Sequence, residues 1–429
     1  MSKTYGFETL SIHAGAGPDP ATGARALPIY QSTAYAFDDA DHAAALFNLQ
    51  TVGFIYSRLT NPTNAALETR LATLEGGRGC TVTASGHSAQ VLALFPLMQP
   101  GDEVVASSRL YGGSLQQMRN TYPKFGWKAH IVDADTPDNF KRALTETTKA
   151  FFIESLANPG GVISDLEAIA RIADDAGIPL IVDNTMATPW LCKPIDYGAT
   201  LVIHSTTKFL SGTGTSMGGA VVDSGKFDWA KGGKFPSLAG PEPAYHGLNF
   251  FESFGDMAYT FHSHAVGLRD LGPTQAPMNA WLTMLGMETL GLRMERHCAN
   301  ALKVAQWLEK HPSVAWVNYA GLPSNKYNAL ARKYLPKGAG SIFTFGVKGG
   351  YEVGMKVVDS VDLFSHVANI GDAKSLIIHP ASTTHRQLTD EQRIAAGAGS
   401  DVIRLSIGIE TVEDIIADLE QALAKATGA

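Results

Sequence analysis

Between Asn61 and His264 the chain alternates short apolar, β-branched runs with stretches of helical spacing. Runs of strand character fall at 80–84, 103–107, 129–132, 151–154, 179–183, 201–204 and 220–223, and helical patterns such as 88–98 and 165–176 separate most of them. Apolar strands joined by helices predict an α/β architecture with a mostly parallel, seven-stranded sheet covered on both faces. Too little chain for a crossover helix separates the last two runs, so one antiparallel strand is expected there.

The rhythm differs at both ends. The first 60 residues are rich in turn formers, as in Gly15-Ala-Gly-Pro-Asp-Pro20, and short of periodic apolar faces. They read as an arm that lies on a neighbouring subunit. Beyond Gly272-Pro273, residues 281–310 read as one long helix, and runs at 341–347, 376–379 and 402–406 as a smaller sheet. Thr411-Val-Glu-Asp414 has a capping-box pattern, and Val412, Ile415, Ile416, Leu419, Ala422 and Leu423 then follow helical spacing. The expected organisation is an arm over 1–60, a sheet domain over 61–265 and a smaller C-terminal α/β domain over 266–429.

Composition acts mainly by exclusion. A net charge of −7 without any block of Lys or Arg argues against nucleic acid or an anionic membrane as the main partner. No apolar stretch approaches the ~20 residues of a membrane helix, and no secretory signal is visible at the start. Cys80, Cys192 and Cys298 lie too far apart for a CxxC metal pair or a disulfide framework. A soluble, cytoplasmic protein without a bound metal is the expectation.

The chemistry sits at strand ends, where open parallel sheets bind ligands. Pro179-Leu-Ile-Val-Asp183 closes on a carboxylate, and Leu201-Val-Ile-His-Ser-Thr-Thr-Lys208 runs into hydroxyls and a lysine. Taken singly, Asp183 is a turn former and Lys208 a solvated side chain. Together on consecutive strands they form the set that pyridoxal 5′-phosphate (PLP) requires. Lys208 is an amine to link the aldehyde, Asp183 a carboxylate to hold the ring nitrogen protonated, and Ser205 and Thr207 are neutral donors for the phosphate.

The run Ser205-Thr-Thr-Lys208-Phe-Leu-Ser-Gly, with Val182-Asp183-Asn-Thr185, resembles the Cys/Met-metabolism family of PLP enzymes. The resemblance covers nearly the whole chain. It implies an aspartate-aminotransferase-like, fold-type-I architecture, with Thr185 beside Asp183 at the cofactor. Tyr56-Ser-Arg58 resembles the motif that reaches the phosphate of a neighbouring subunit, and Ser85-Gly86-His87 the phosphate turn. His87 departs from the Gln or Met expected at its place; its imidazole could add a contact, though simple packing is the plainer reading. Tyr111-Gly-Gly resembles the tyrosine that stacks on the ring and serves as acid or base. Glu154-x-x-x-Asn158-Pro resembles the motif whose Asn lies near the ring oxygen and the substrate. Arg404-Leu-Ser-Ile-Gly resembles the clamp on the substrate carboxylate, with Ser382 beside it.

Leu10-Ser-Ile-His-Ala-Gly, Gly240-Pro-Glu-Pro-Ala-Tyr-His and Ile378-His-Pro-Ala-Ser-Thr-Thr-His385 resemble the O-acetylhomoserine sulfhydrylase branch of that family. This implies γ-replacement of acetate by sulfide or methanethiol, in a homo-oligomer expected to be a tetramer built as a dimer of dimers. Cystathionine or methionine γ-lyases and γ-synthases share all of these anchors and remain open.

Rival signals are weaker. Gly86-His-Ser88-Ala-Gln90 resembles a nucleophile elbow, but Gln90 stands where a tight turn wants a small residue, so Ser88 reads more simply as the first turn of a helix. No GxxxxGK[ST] loop supports a phosphate carrier. His262-x-His264 lacks a ligand partner at metal spacing.

Overall fold

The computed structural model describes residues 5–159, 161–383, 386, 389, 391, 393 and 397–428. The alternating region forms a seven-stranded sheet from β1 (Gly79–Thr83), β2 (Glu103–Ser107), β3 (Lys128–Val132), β4 (Thr148–Glu154), β5 (Leu180–Asp183), β6 (Leu201–His204) and β7 (Gly219–Asp223). Their order is β1-β7-β6-β5-β4-β2-β3. β2 to β6 pair in parallel, while β7 runs antiparallel to both β6 and β1. The short link from β6 leaves β7 no other direction.

Strand alternation divides the core. Ile153, Val182, Val202 and Val222 point into one apolar cluster; Phe152, Ile181, Ile203 and Val221 point into the other. The first cluster continues without a break into the C-terminal layer through Phe343, Phe345, Ile403 and Leu405. That layer holds β8 (Val314–Asn318), β9 (Ile342–Val347), β10 (Ser365–His366), β11 (Leu376–Ile378) and β12 (Val402–Ser406), in the order β8-β9-β12-β11-β10.

The N-terminal segment carries a short helix α1 (Phe7–His13), α2 (Pro62–Glu75) begins at an Asn61 cap, and α3 (Gly86–Leu94) and α4 (Leu166–Asp175) follow among the strands. Arg70, buried on α2, donates to the carbonyls of Ile12 and Ala14 at 2.8 and 2.9 Å and so ties α1 to the core.

Two helical expectations need correcting. Residues 281–310 are not one helix but α5 (Pro277–Glu288) and α6 (Leu290–Lys310), broken at Thr289. Arg293 explains how the break survives burial. Its guanidinium donates to the Gly286 carbonyl at 2.6 Å and to Phe209 O at 2.7 Å, satisfying an acceptor at the end of α5. In the closing helix α7 (Val412–Thr427) the Thr411 side chain makes no cap bond. Glu413 and Asp414 in the first turn offset the helix dipole instead.

Candidate active site

The carboxyl ends of β4, β5 and β6 open on a cavity of about 230 Å³ between the large sheet and the C-terminal layer. Eleven expected site residues line it: Ser85, Gly86, His87, Tyr111, Asn158, Asp183, Thr185, Ser205, Thr207, Lys208 and Arg404. The acid and the amine singled out first share this one cavity.

Asp183 ends β5. Thr185 folds back so that its N–H and hydroxyl both donate to Asp183 Oδ1, at 3.0 and 2.6 Å. Its oxygen in turn accepts Ser205 N–H at 2.8 Å, which links the ends of β5 and β6. Gln90 Nε2 approaches Asp183 Oδ2 at 3.5 Å. Burial raises the Asp183 carboxyl, while the Thr185 bonds hold it back.

Glu154, one strand over and in register with Asp183, is raised well above its ordinary range by burial and then by Asp183 itself. Of two neighbouring buried carboxyls the one with more donors ionises first, and that is Asp183. Glu154 orients the neighbours. Its two oxygens accept Tyr111 N–H at 2.6 Å and Asn158 N–H at 3.1 Å.

Ser85 caps helix α3 (Gly86–Leu94) in a capping box with Ser88. The first-turn N–H groups of a helix have no internal acceptors and favour an anion. A Cβ on Gly86 would lie 2.7 Å from Ser205 Cβ, so glycine is what lets this helix end close against the turn after β6. The Ser88 hydroxyl donates to Ser85 O at 2.9 Å as part of the cap, which disposes of the nucleophile-elbow reading. Thr207 is engaged with the backbone of Gly218 through both donor and acceptor bonds, at 3.2 and 3.1 Å. Its hydroxyl would have to turn to donate to a phosphate. His87 lines the cavity and stacks on Tyr111, with centroids 5.9 Å apart.

Burial lowers Lys208 below its ordinary value, with a further push from the Arg404 charge. Arg404, on β12, is lowered by burial to about 10 and stays cationic at neutral pH. It donates to Asn158 Oδ1 at 3.3 Å and to the Asn369 carbonyl at 3.0 Å, while its Nε has no partner among the described residues. A buried guanidinium with an orphan donor on a cavity wall suits a carboxylate ligand.

Three expected residues are not brought to this cavity. Ser382 turns its hydroxyl to His379, with Nδ1 at 3.0 Å and the carbonyl at 3.1 Å, and is not among the lining residues. Asn369 takes the place beside Arg404 instead, and its side-chain oxygen also accepts from Lys208 Nζ at 2.5 Å. Tyr56 and Arg58 lie outside this chain's cavity; Arg58 stacks over Tyr56 at 5.3 Å and bonds the Arg269 carbonyl. Thr384 and His385 lie outside the described residues. His262 and His264 face different carboxylates, Glu242 at 3.8 Å and Glu68 at 3.4 Å.

Sequence reasoning missed Asn369 and Gln90, and gave Glu154 no role of its own. Gln90 lies one turn after Gly86 on α3, the helix whose start carries the expected phosphate turn, so helical spacing held a clue. Asn369 sits in an irregular segment between β10 and β11, where no local pattern marks it.

Fold and cavity define a PLP-dependent enzyme of fold type I. The chain belongs to the Cys/Met metabolism PLP-dependent enzyme family, whose model matches residues 8–424. It is 50% identical to an O-acetyl-L-homoserine sulfhydrylase of Leptospira meyeri, over 99% of this chain and 98% of the relative. It is 49% identical to a homocysteine synthase of Schizosaccharomyces pombe, over 97% and 98%. Among solved structures, one described as an O-acetylhomoserine (thiol)-lyase of Campylobacter jejuni superposes with a TM-score of 0.95 at 43% identity, covering 98% of this chain and 100% of that one. Its lysine carries the pyridoxyl phosphate group.

The residues present fit that cofactor: an amine, a buried acid held by Thr185, a capped helix N-terminus and a glycine that clears its approach. No helix among the described residues is long and apolar enough to cross a membrane.

Proposed function

We propose that this enzyme replaces the acetate of O-acetyl-L-homoserine by sulfide, giving L-homocysteine, with methanethiol as an alternative nucleophile giving methionine. The observation that carries the reading is the meeting of Lys208 and Arg404 at Asn369: proton-transfer amine and carboxylate clamp are set on one residue of one cavity. The names borne by relatives at 45–50% identity over nearly the whole chain point to the same substrate.

Bound PLP supplies an electron sink that stabilises negative charge at the substrate α-carbon. Asp183 holds the ring nitrogen protonated. Arg404 takes the substrate carboxylate, with Asn158 and Asn369 fixing the guanidinium. Lys208, its pKa lowered by burial, takes the α-proton and moves protons along the substrate chain so that acetate leaves the γ-carbon and sulfide adds there. Tyr111, on the cavity wall, would serve as acid or base towards the departing acetate.

Purified protein given O-acetylhomoserine and sulfide should release homocysteine and acetate. Oxobutyrate formed with or without sulfide, in place of homocysteine, would make it a lyase and sink the replacement reading.

The phosphate end also needs Tyr56 and Arg58, which we place in the site of a neighbouring subunit. On this reading the N-terminal arm over 1–60 reaches across, a dimer is the smallest active unit and the cytoplasmic enzyme is a tetramer. Arg58→Ala should weaken PLP binding by about tenfold or more, the worth of one charge-assisted bond. Mixing it with Lys208→Ala chains should recover part of the activity, because one of the two shared sites would then hold both residues. No recovery in verified mixed dimers would overturn the shared site.

A further inference from the structure

On the face of the large sheet opposite the cavity lies a closed polar cluster that no step above uses. Three adjacent strand ends each send one residue to each side. Glu154, Asp183 and Ser205 line the cavity. Their chain neighbours Ser155, Asn184 and His204 instead join Glu75, the last residue of α2. The Ser155 hydroxyl donates to Asn184 Oδ1 at 2.7 Å, and Asn184 Nδ2 donates to Glu75 Oε1 at 2.8 Å. His204 Nε2 lies 2.6 Å from that same Glu75 oxygen, and both side chains are fully buried.

This is an expensive place for a carboxylate. It has left water, and it stands at the negative end of a helix dipole. A glutamine would fill the volume and accept the same bonds without either penalty. A buried carboxylate persists when a cation meets it at hydrogen-bond range, and His204 is the titratable group at that range. The thiols of Cys80 and Cys192 also lie in the field of Glu75, but burial raises both and leaves them neutral. Glu68, two turns back on α2, faces His264 instead.

We propose that the Glu75–His204 pair carries its proton on the imidazole and that this buried positive charge, set behind the sheet, keeps Asp183 ionised for the cofactor ring. His204 directly follows Ile203, the register partner of Asp183 on the adjacent strand, whereas Glu75 stands beyond it on the helix. The positive end of the pair is therefore the one turned to Asp183. His204 Nδ1 and Glu75 Oε2 have no hydrogen-bond partners among the described residues, so the Nε2–Oε1 contact is the bond through which the two side chains meet. The groups facing Asp183 from the cavity side are Glu154, which opposes its ionisation, and Thr185 and Gln90, which favour it. The charge of His204 adds to the favourable side. His204 and Glu75 are positioning residues; neither lines the cavity.

The inference rests on the PLP reading, and its test separates the two. The visible absorption band of the cofactor on Lys208 is titrated with pH in the holoenzyme and in Glu75→Gln, His204→Gln and Ser155→Ala. Wild-type protein without such a band would overturn the cofactor reading itself. With Asp183 less able to hold the ring proton, the ring draws electrons more weakly and the linkage at Lys208 keeps its own proton to higher pH. The midpoint should therefore rise by on the order of one pH unit in both glutamine variants and stay in place in Ser155→Ala. If Glu75→Gln fails to fold, His204→Gln gives the same reading. A merely structural clip would lower the melting temperature in all three and leave every midpoint where it was, and that result would overturn the proposal.

Discussion

Replacing Lys208 with alanine is expected to remove the visible cofactor band and lower turnover by about a thousandfold or more, because the covalent link and the proton carrier go together. The apoprotein should be no less stable for it. Burial and the Arg404 charge both depress the Lys208 pKa, so the folded state disfavours its cationic form. The sign follows from linkage. A lysine with a folded pKa below its unfolded value costs stability at neutral pH, and the cost shrinks as pH rises towards the unfolded value. Alanine removes that cost, so the melting temperature of apo Lys208→Ala at pH 7 should equal or exceed that of the apo wild type. Loss of activity with retained stability marks a catalytic lysine. Retention of both band and turnover would refute the assignment.

The second large effect belongs to Asp183→Asn. The two Thr185 donors reach Oδ1, which an asparagine retains, so the turn after β5 should survive. The other position changes from acceptor to donor. It then faces the amide of Gln90 and the ring nitrogen, and a protonated nitrogen has no acceptor left. A charge-assisted bond of about 1.5–3 kcal/mol is lost, which weakens PLP binding by roughly 10- to 100-fold. Exchange of the substrate α-proton should fall further than binding does, because the neutral ring is a poorer sink. Cofactor titration and α-deuterium washout measure the two separately. Equal losses in both would mean that Asp183 only anchors the ring.

Much of the site was legible because its residues sit in short, patterned runs. The apolar stretch into Asp183 and the one into the hydroxyls before Lys208 each announce a strand and its carboxyl end, and a parallel sheet puts such ends side by side. The small residues around Gly86 likewise announce a tight turn into a helix. Ser382 shows the limit. It stands in a segment with the right residue types, yet its hydroxyl bonds its own neighbour His379, three residues away. The place beside Arg404 goes to Asn369, which reaches Lys208 across 161 positions. Thr289 is a similar case, because 281–310 keeps helical spacing throughout. The break depends on Arg293 reaching the carbonyls of Gly286 and Phe209.

Periodicity of apolar side chains, by itself, determined the seven strands, the direction of β7 and the presence of an acid and an amine at neighbouring strand ends, since each is a property of a few consecutive residues. Tertiary structure alone decided which oxygen meets Lys208, which carboxyl of the Glu154–Asp183 pair ionises first, and that Glu75 and His204 meet in a polar cluster behind the sheet. Hydrogen bonds and buried charges act over a few ångströms of space. The partners they join here lie up to 246 residues apart in the chain, where no local pattern can pair them.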